Sequence, residues 1–112
     1  MIDQKLDTEI SMLHHRICHA LADPKRILIL YLLSEKPMLV NELAEMLEMP
    51  QPSVSRHLGV LRERGLVATE REGTGVRYTL ADRRIIEALD LMRAVLNTQL
   101  TASIELAKSL IE

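Results

Sequence analysis

The spacing of apolar residues changes twice along this chain, and these changes restrict the fold more than any other feature. Up to Gly65 the apolar residues recur at the spacing of helices that bury one face. In residues 66–81, LVATEREGTGVRYTLA, apolar and polar residues alternate as in two strands, with Gly73 and Gly75 at the turn. Helical spacing returns after Asp82. The pattern predicts a mainly α-helical fold with one small β-hairpin.

Four helices are predicted before the hairpin. The first covers residues 8–22, and the second starts at Asp23-Pro24, an N-cap residue followed by proline at the first helical position. The third covers residues 39–49, and the fourth follows a short break and ends before Gly65. Residues 39–64 are therefore predicted to form a helix-turn-helix, and residues 66–81 the wing of a winged helix-turn-helix.

A last helix is predicted over residues 82–112, with Asp82 as its cap. If it is continuous, it is about 45 Å long at 1.5 Å per residue. A domain of 112 residues cannot cover an apolar face of that length alone. We therefore expect part of this face to pack on a second subunit, and a break at Thr98 or Thr101 is the alternative.

The composition predicts a single cytoplasmic domain, residues 1–112. Only Tyr31 and Tyr78 are aromatic, so the core must be built from Leu, Ile, Val and Met. No apolar run approaches the roughly 20 residues that span a membrane, and no signal-peptide pattern is present. The single cysteine, Cys18, cannot form an internal disulfide, which fits a reducing compartment.

The charge is unevenly distributed and predicts a nucleic-acid partner. The net charge is −2, yet residues 51–84 carry seven arginines against four acidic residues, a local balance of +3. Residues 1–50 have a balance of −3, and residues 85–112 carry two basic against four acidic residues. Arginine suits bidentate contacts with phosphate or guanine.

The fourth helix, within PQPSVSRHLGVLRER (residues 50–64), has the pattern of a helix that enters a DNA groove. Val54, Leu58 and Leu61 form one inward stripe, which leaves polar side chains outward at the helix N-terminus. Gln pairs with adenine and Arg with guanine, and the N-terminal N–H groups attract phosphate. A polar surface helix is the plain alternative, which the local charge and the hairpin disfavour. The predicted DNA contacts from these residues are Gln51, Pro52, Ser53, Ser55, Arg56 and Arg62, with Arg71, Thr74 and Arg77 near the hairpin tip.

Three motifs in this order resemble the ArsR/SmtB family of bacterial winged-helix repressors: LADPKRILIL, LVNELAEMLEMPQPSVSRHLGVLRERGLV and GVRYTL. The resemblance covers about residues 10–96. It implies a homodimer formed through the first and last helices, which binds a pseudo-palindromic operator in double-stranded DNA until a ligand, often a metal, releases it. By position it assigns the reading edge to Gln51, Ser53, Ser55, Arg56 and His57, and a wing contact to Arg77. Pro50 replaces the usual Ser or Thr N-cap, a loss of about 1 kcal/mol.

The two metal sites familiar in that family are not present in this sequence. The thiolate site would be Cys-x-Cys-Asp, where this chain has LVNE at residues 39–42. The zinc site on the last helix retains Asp82, but Arg84, Val95 and Thr98 replace the other ligands. No cofactor is predicted, and the releasing signal stays unidentified.

A histidine and cysteine cluster in the first helix, LHHRICHAL, is a weak metal candidate. With helical spacing, His15, Cys18 and His19 supply three ligands for tetrahedral zinc. Packing at a dimer interface is the favoured interpretation, because cysteine is commonly buried and histidine commonly hydrogen-bonded there. A redox or thiol-modification role for Cys18 is the remaining alternative.

Other classes of function fit less well. Ser53, Ser55 and His57 lie on one exposed helix with nothing to exclude water, so an enzyme is not predicted. Single-stranded nucleic acids are disfavoured because only two aromatic rings are available for stacking. A winged-helix module that binds proteins rather than specific DNA is the main alternative to a DNA-binding repressor.

Overall fold

The first helix begins earlier than the sequence predicts. In the computed structural model, which describes residues 1–111, α1 covers Gln4–Leu13 and a π-helical turn, His14–Cys18, continues it. Asp3 caps α1, because its carboxylate accepts the N–H of Lys5 at 3.1 Å. The predicted start at residue 8 is wrong. The helical spacing of apolar residues is visible only from Ile10, so the sequence gives no sign of the first turn, which the Asp3 cap stabilises.

The second helix, α2, covers Pro24–Glu35 and supplies the centre of the core. It begins as predicted, with the carboxylate of Asp23 accepting the N–H of Lys25 at 2.9 Å. Within residues 1–82 the largest fully buried side chains come from α2 and from the two helices that follow it. They are Ile29, Leu30, Leu43, Val54, Leu58 and Leu61.

The predicted helix-turn-helix is confirmed. α3 covers Val40–Leu47 and α4 covers Gln51–Glu63. Glu48 ends α3 by taking a left-handed conformation with φ of 54°, so the third helix stops before the predicted Met49. The turn between the helices is therefore short, as the motif requires.

Gly65 ends α4 as the sequence predicts. Its φ is 78°, a conformation that glycine adopts readily. The N–H of Gly65 bonds to the carbonyl of Arg62 at 3.1 Å, and the N–H of Leu66 bonds to the carbonyl of Leu61 at 2.9 Å. This pair of bonds is the Schellman pattern, and it turns the chain from α4 into the wing.

The sheet has three strands, whereas the sequence predicts only a hairpin. β2, Val67–Glu72, and β3, Gly75–Leu80, form the predicted antiparallel hairpin around a two-residue loop of Gly73 and Thr74. β1, Met38–Leu39, pairs antiparallel with the other side of β3, so the order is β1-β3-β2. A two-residue strand shows no alternation of apolar and polar residues, so the sequence gives no signal for it.

Residues 83–111 form a separate unit that consists of one long helix. α5 covers Arg84–Ile111 without interruption, so the predicted alternative of a break at Thr98 or Thr101 is wrong. The hydroxyl of Thr98 donates to the carbonyl of Ala94 at 3.0 Å and is therefore satisfied within the helix. No helix in the described part of the chain is long and apolar enough to cross a membrane.

The ends of α5 differ from the predicted bounds of 82–112. The helix starts at Arg84, two residues after Asp82. Glu112, at the other predicted end, lies outside the described residues. Large apolar side chains are exposed along α5, at Leu91, Met92, Val95, Leu96, Leu100, Ile104 and Leu106.

Candidate nucleic-acid interface

The side of α4 opposite the core forms the candidate interface. The predicted inward stripe is confirmed, since Val54, Leu58 and Leu61 are each fully buried. A helix with one face locked into a core presents the other face as a rigid surface. The exposed residues of this face and its edges are Gln51, Pro52, Ser55, Arg56, Gly59, Arg62 and the acidic Glu63, whereas Ser53 is half-buried.

The N-terminus of α4 offers fewer N–H groups than the sequence predicts. Pro50 occupies the N-cap position and makes no side-chain cap, as expected. Pro52, in the first turn, has no N–H to offer, and the N–H of Ser53 bonds to the carbonyl of Pro50 at 3.1 Å. Side chains, rather than backbone groups, therefore dominate what this end of the helix presents to a partner.

Arg56 is held at the outer face by a neighbouring serine. Its Nη2 donates to Oγ of Ser53 at 3.3 Å, one helical turn earlier, and Arg56 is exposed. An exposed contact of this kind is weak. Arg56 is thus oriented but still available to a partner.

The tip of the wing presents a second exposed group. Arg71 near the end of β2 and Thr74 in the loop are both exposed, as the sequence predicts. Gly73 has a φ of 62° at the first loop position, the conformation that a tight two-residue loop requires there. The loop therefore keeps Arg71 and Thr74 at the outer end of the hairpin.

His57 does not lie on the predicted reading edge. Its side chain is 17% exposed, and its Nε2 lies 3.9 Å from Oδ2 of Asp23 at the start of α2. Its Nδ1 lies 3.4 Å from Nη1 of Arg26. Position 57 lies beside the buried stripe of α4 and faces α2, so the protein itself engages the side chain that the sequence predicts to contact DNA.

Arg77 is also engaged within the protein. Its Nε donates to the carboxylate of Glu72, and its Nη1 lies 3.4 Å from Oε1 of Glu42 on α3. The hydrogen bond and charge of Glu72, with a further contribution from Glu42, raise the pKa of Arg77 above its ordinary value. The guanidinium of Arg77 therefore joins the wing to α3, and the predicted wing contact of Arg77 with DNA stays a prediction.

Comparison with known proteins identifies the family. Residues 23–69 match the family described as "Bacterial regulatory protein, arsR family". The HTH-type transcriptional regulator NmtR of Mycobacterium tuberculosis is 39% identical over 85 residues, which are 76% of this chain and 71% of that protein. This chain belongs to the arsR family. The resemblance based on the three sequence motifs is confirmed.

Other members of the arsR family show how far the likeness extends. The HTH-type transcriptional repressor SmtB of Mycobacterium tuberculosis is 45% identical over 69 residues, which are 62% of this chain and 51% of the repressor. The chain thus spans about half the length of some curated relatives that it matches, this one included. The homodimeric winged helix-turn-helix DNA-binding domain Mb0332 of Mycobacterium bovis has a TM-score of 0.76 and 27% identity, with 88% of this chain and 91% of that chain covered. The predicted winged helix-turn-helix fold is confirmed.

The histidine and cysteine cluster of the first helix lies largely in the π-helical turn. Because His14–Cys18 form this turn, the N–H of His19 bonds to the carbonyl of His14, five residues earlier. Among residues 1–111, no group of three or more His, Cys, Asp or Glu side chains is arranged to hold a metal ion. The cluster is therefore not offered as a metal site.

Glu42 is a site residue that the sequence interpretation missed. Its Oε1 accepts the N–H of Leu39 at 2.8 Å, which caps α3, and the same oxygen faces Arg77. A glutamate three residues after an N-cap is one half of a capping box. The signal was present in LVNE, but leucine at the N-cap position lacks the side-chain oxygen by which such a box is normally recognised.

Proposed function

We propose that this arsR family protein is a homodimeric transcriptional repressor that binds a specific double-stranded DNA operator and is released by an unidentified signal. The observation that carries the proposal is the outer face of α4. Gln51, Ser55 and Arg56 lie exposed on it while the opposite stripe is fully buried. Such a helix fits the DNA major groove. The proposed location of the protein is the cytoplasm, where bacterial DNA lies.

The side chains of this face divide into two kinds of contact. Arg56 suits a bidentate contact with guanine, and the amide of Gln51 suits one with adenine. Arg62 in the last turn of α4 and Arg71 in the wing suit phosphates, which fix the position of a protein without reading sequence. Pro52, Ser53, Ser55 and Thr74 complete the proposed contacts. His57 and Arg77 are left out because the protein itself engages them.

The homodimer is supported by apolar side chains that remain exposed. On α1 these are Leu6, Ile10, Met12 and Leu13, each close to half exposed, and α5 carries a longer row. Rows of large exposed apolar side chains favour association with a partner. The homodimeric state of the Mycobacterium bovis domain favours a second copy as the partner.

Selection from a library of random duplexes at physiological salt tests the proposal. A homodimer with two reading helices should enrich a pseudo-palindrome whose half-sites lie about one helical turn apart, roughly 10 base pairs. Enrichment of no sequence would refute specific DNA binding and would favour the alternative of a protein-binding module. Enrichment of a single half-site without symmetry would refute the dimer but not DNA binding.

Arg56→Ala tests the proposed reading residue. Loss of a bidentate contact with guanine should weaken binding to the selected duplex by about 1–3 kcal/mol and relax the preference at one base pair per half-site. Arg62→Ala, in the same helix, is the matched control and should weaken binding to all duplexes alike. The measurement is fluorescence anisotropy with the selected duplex and with single-base variants. Unchanged sequence preference in Arg56→Ala would remove Arg56 from the reading residues.

A further inference from the structure

Two arginines bind backbone carbonyls near the end of the first helical segment, which consists of α1, the π-helical turn and the residues up to Ala20. Nε of Arg26 donates to the carbonyl of Ala20 at 2.6 Å, and its Nη2 donates to the carbonyl of His19 at 3.3 Å. Nη1 of Arg64 donates to the carbonyl of His15 at 2.6 Å. The carbonyl of His19 also accepts the N–H of Ala22 at 3.2 Å, and carbonyls near the C-terminus of a helix favour a positive charge. Arg26 and Arg64 thus fasten this end to α2 and to the end of α4.

Arg26 also reaches the middle of α4. Its third nitrogen, Nη1, lies 3.4 Å from Nδ1 of His57, and this contact is partly buried. Through one planar group, Arg26 therefore joins the end of the first helical segment, α2 and α4. The buried stripe of α4 locks its inner face into the core, so only a small rotation about the helix axis remains to be restrained. A directional contact beside that stripe restrains the rotation.

The chemistry of this contact fixes the proton on His57. A guanidinium has donors only, so Nδ1 of His57 must accept, and the proton of the neutral ring resides on Nε2. That nitrogen faces Oδ2 of Asp23 at 3.9 Å, while Oδ1 of Asp23 caps α2 by accepting the N–H of Lys25. Asp23 thus supports the same orientation of the imidazole that Arg26 requires.

We infer that Arg26 is a positioning residue for DNA recognition, which holds α4 through His57 without itself touching DNA. The inference rests on the proposed DNA-binding function. It predicts that the reading face of α4 depends on a side chain at the start of α2 and on the end of the first helical segment. The sequence places Arg26 and His57 31 residues apart, so only the fold brings them together.

The first test reads the histidine directly and needs no DNA. The ¹⁵N chemical shifts of the His57 ring, at a pH where it is neutral, should show the Nε2–H form in the parent protein. Arg26→Gln should weaken that preference, because only Asp23 then favours the Nε2–H form. Arg26→Lys keeps the positive charge but lacks the planar fork, so it should also weaken the preference even if Arg26→Gln fails to fold. Lys25→Gln, which removes the neighbouring exposed charge, is the matched control and should leave the ring signals unchanged.

The second test is a double-mutant cycle on affinity for the selected duplex. Arg26→Lys should weaken binding about 2- to 30-fold, as expected for a residue that acts through a contact rather than on the ligand. His57→Gln should weaken binding similarly, and the double variant should bind about as well as either single variant. Circular dichroism of each variant establishes that it is folded.

The outcomes separate this inference from the proposed function. A parent protein that binds no duplex would overturn both the function and the positioning role, whatever the state of His57. A parent that binds a specific duplex, with Arg26→Lys binding equally well, would overturn only the positioning role. Additive losses in the double variant, or an Nδ1–H ring in the parent, would show that Arg26 does not act through His57.

Discussion

Replacing Gly59 by alanine tests whether the outer face of α4 lies against DNA, because the fold gives no reason for a glycine there. Gly59 is an exposed residue inside α4, and a Cβ built on it meets no atom within 4 Å. Glycine inside a helix costs roughly 0.8–1.0 kcal/mol relative to alanine. Gly59→Ala should therefore raise the free energy of unfolding by about 1 kcal/mol per protomer.

Gly65→Ala is the matched control with the opposite sign. A Cβ on Gly65 also meets no atom within 4 Å, so space is equally available at the two sites. The difference lies in the backbone, because Gly65 has a φ of 78° and a left-handed conformation costs other residues roughly 1–2 kcal/mol. Alanine also restricts the unfolded chain, which returns part of that cost, so a net loss of about 1 kcal/mol is expected.

The assay is urea unfolding followed by circular dichroism at one fixed protomer concentration, since the stability of a dimer depends on concentration. If both variants changed the free energy of unfolding in the same direction, the reasoning from helix geometry would be refuted. The DNA affinity of Gly59→Ala then tests whether DNA approaches α4 closely at this position. Overpacking a close contact costs about 1–3 kcal/mol, which corresponds to roughly a 5- to 150-fold loss of affinity. A more stable variant that binds the selected duplex unchanged would show that DNA does not approach Gly59.

Two further predictions concern the core of α4 and the wing. Leu58→Ala removes a fully buried side chain and should lower the free energy of unfolding by about 2–5 kcal/mol in urea titrations; a loss below 1 kcal/mol would contradict the placement of Leu58. Arg71→Gln should reduce the slope of log affinity against log salt concentration by about 0.9 per lost phosphate contact. Arg77→Gln should change that slope less, because Glu72 and Glu42 already engage its charge; equal changes in anisotropy titrations would refute this distinction.

The parts of the fold that the sequence predicts correctly depend on spacing within single elements. The inward stripe of α4 and the two-strand wing repeat with periods that are visible without knowing what they pack against. β1 and the π-helical turn could not be found in this way. A strand of two residues exists because β3 offers it a partner, and one π-helical turn within a helix leaves no distinct signal in the apolar spacing.

The roles of the arginines are decided by contacts between elements. A charge balance over residues 51–84 counts each arginine equally and omits Glu42, which lies 35 residues before Arg77 and reaches it through the fold. Arg64 is directed to a backbone carbonyl, whereas Arg56 and Arg62 remain exposed on α4. The number of phosphates that a protein neutralises sets the salt dependence of DNA binding. That dependence should therefore follow the exposed arginines of α4 and the wing tip rather than the local balance of +3.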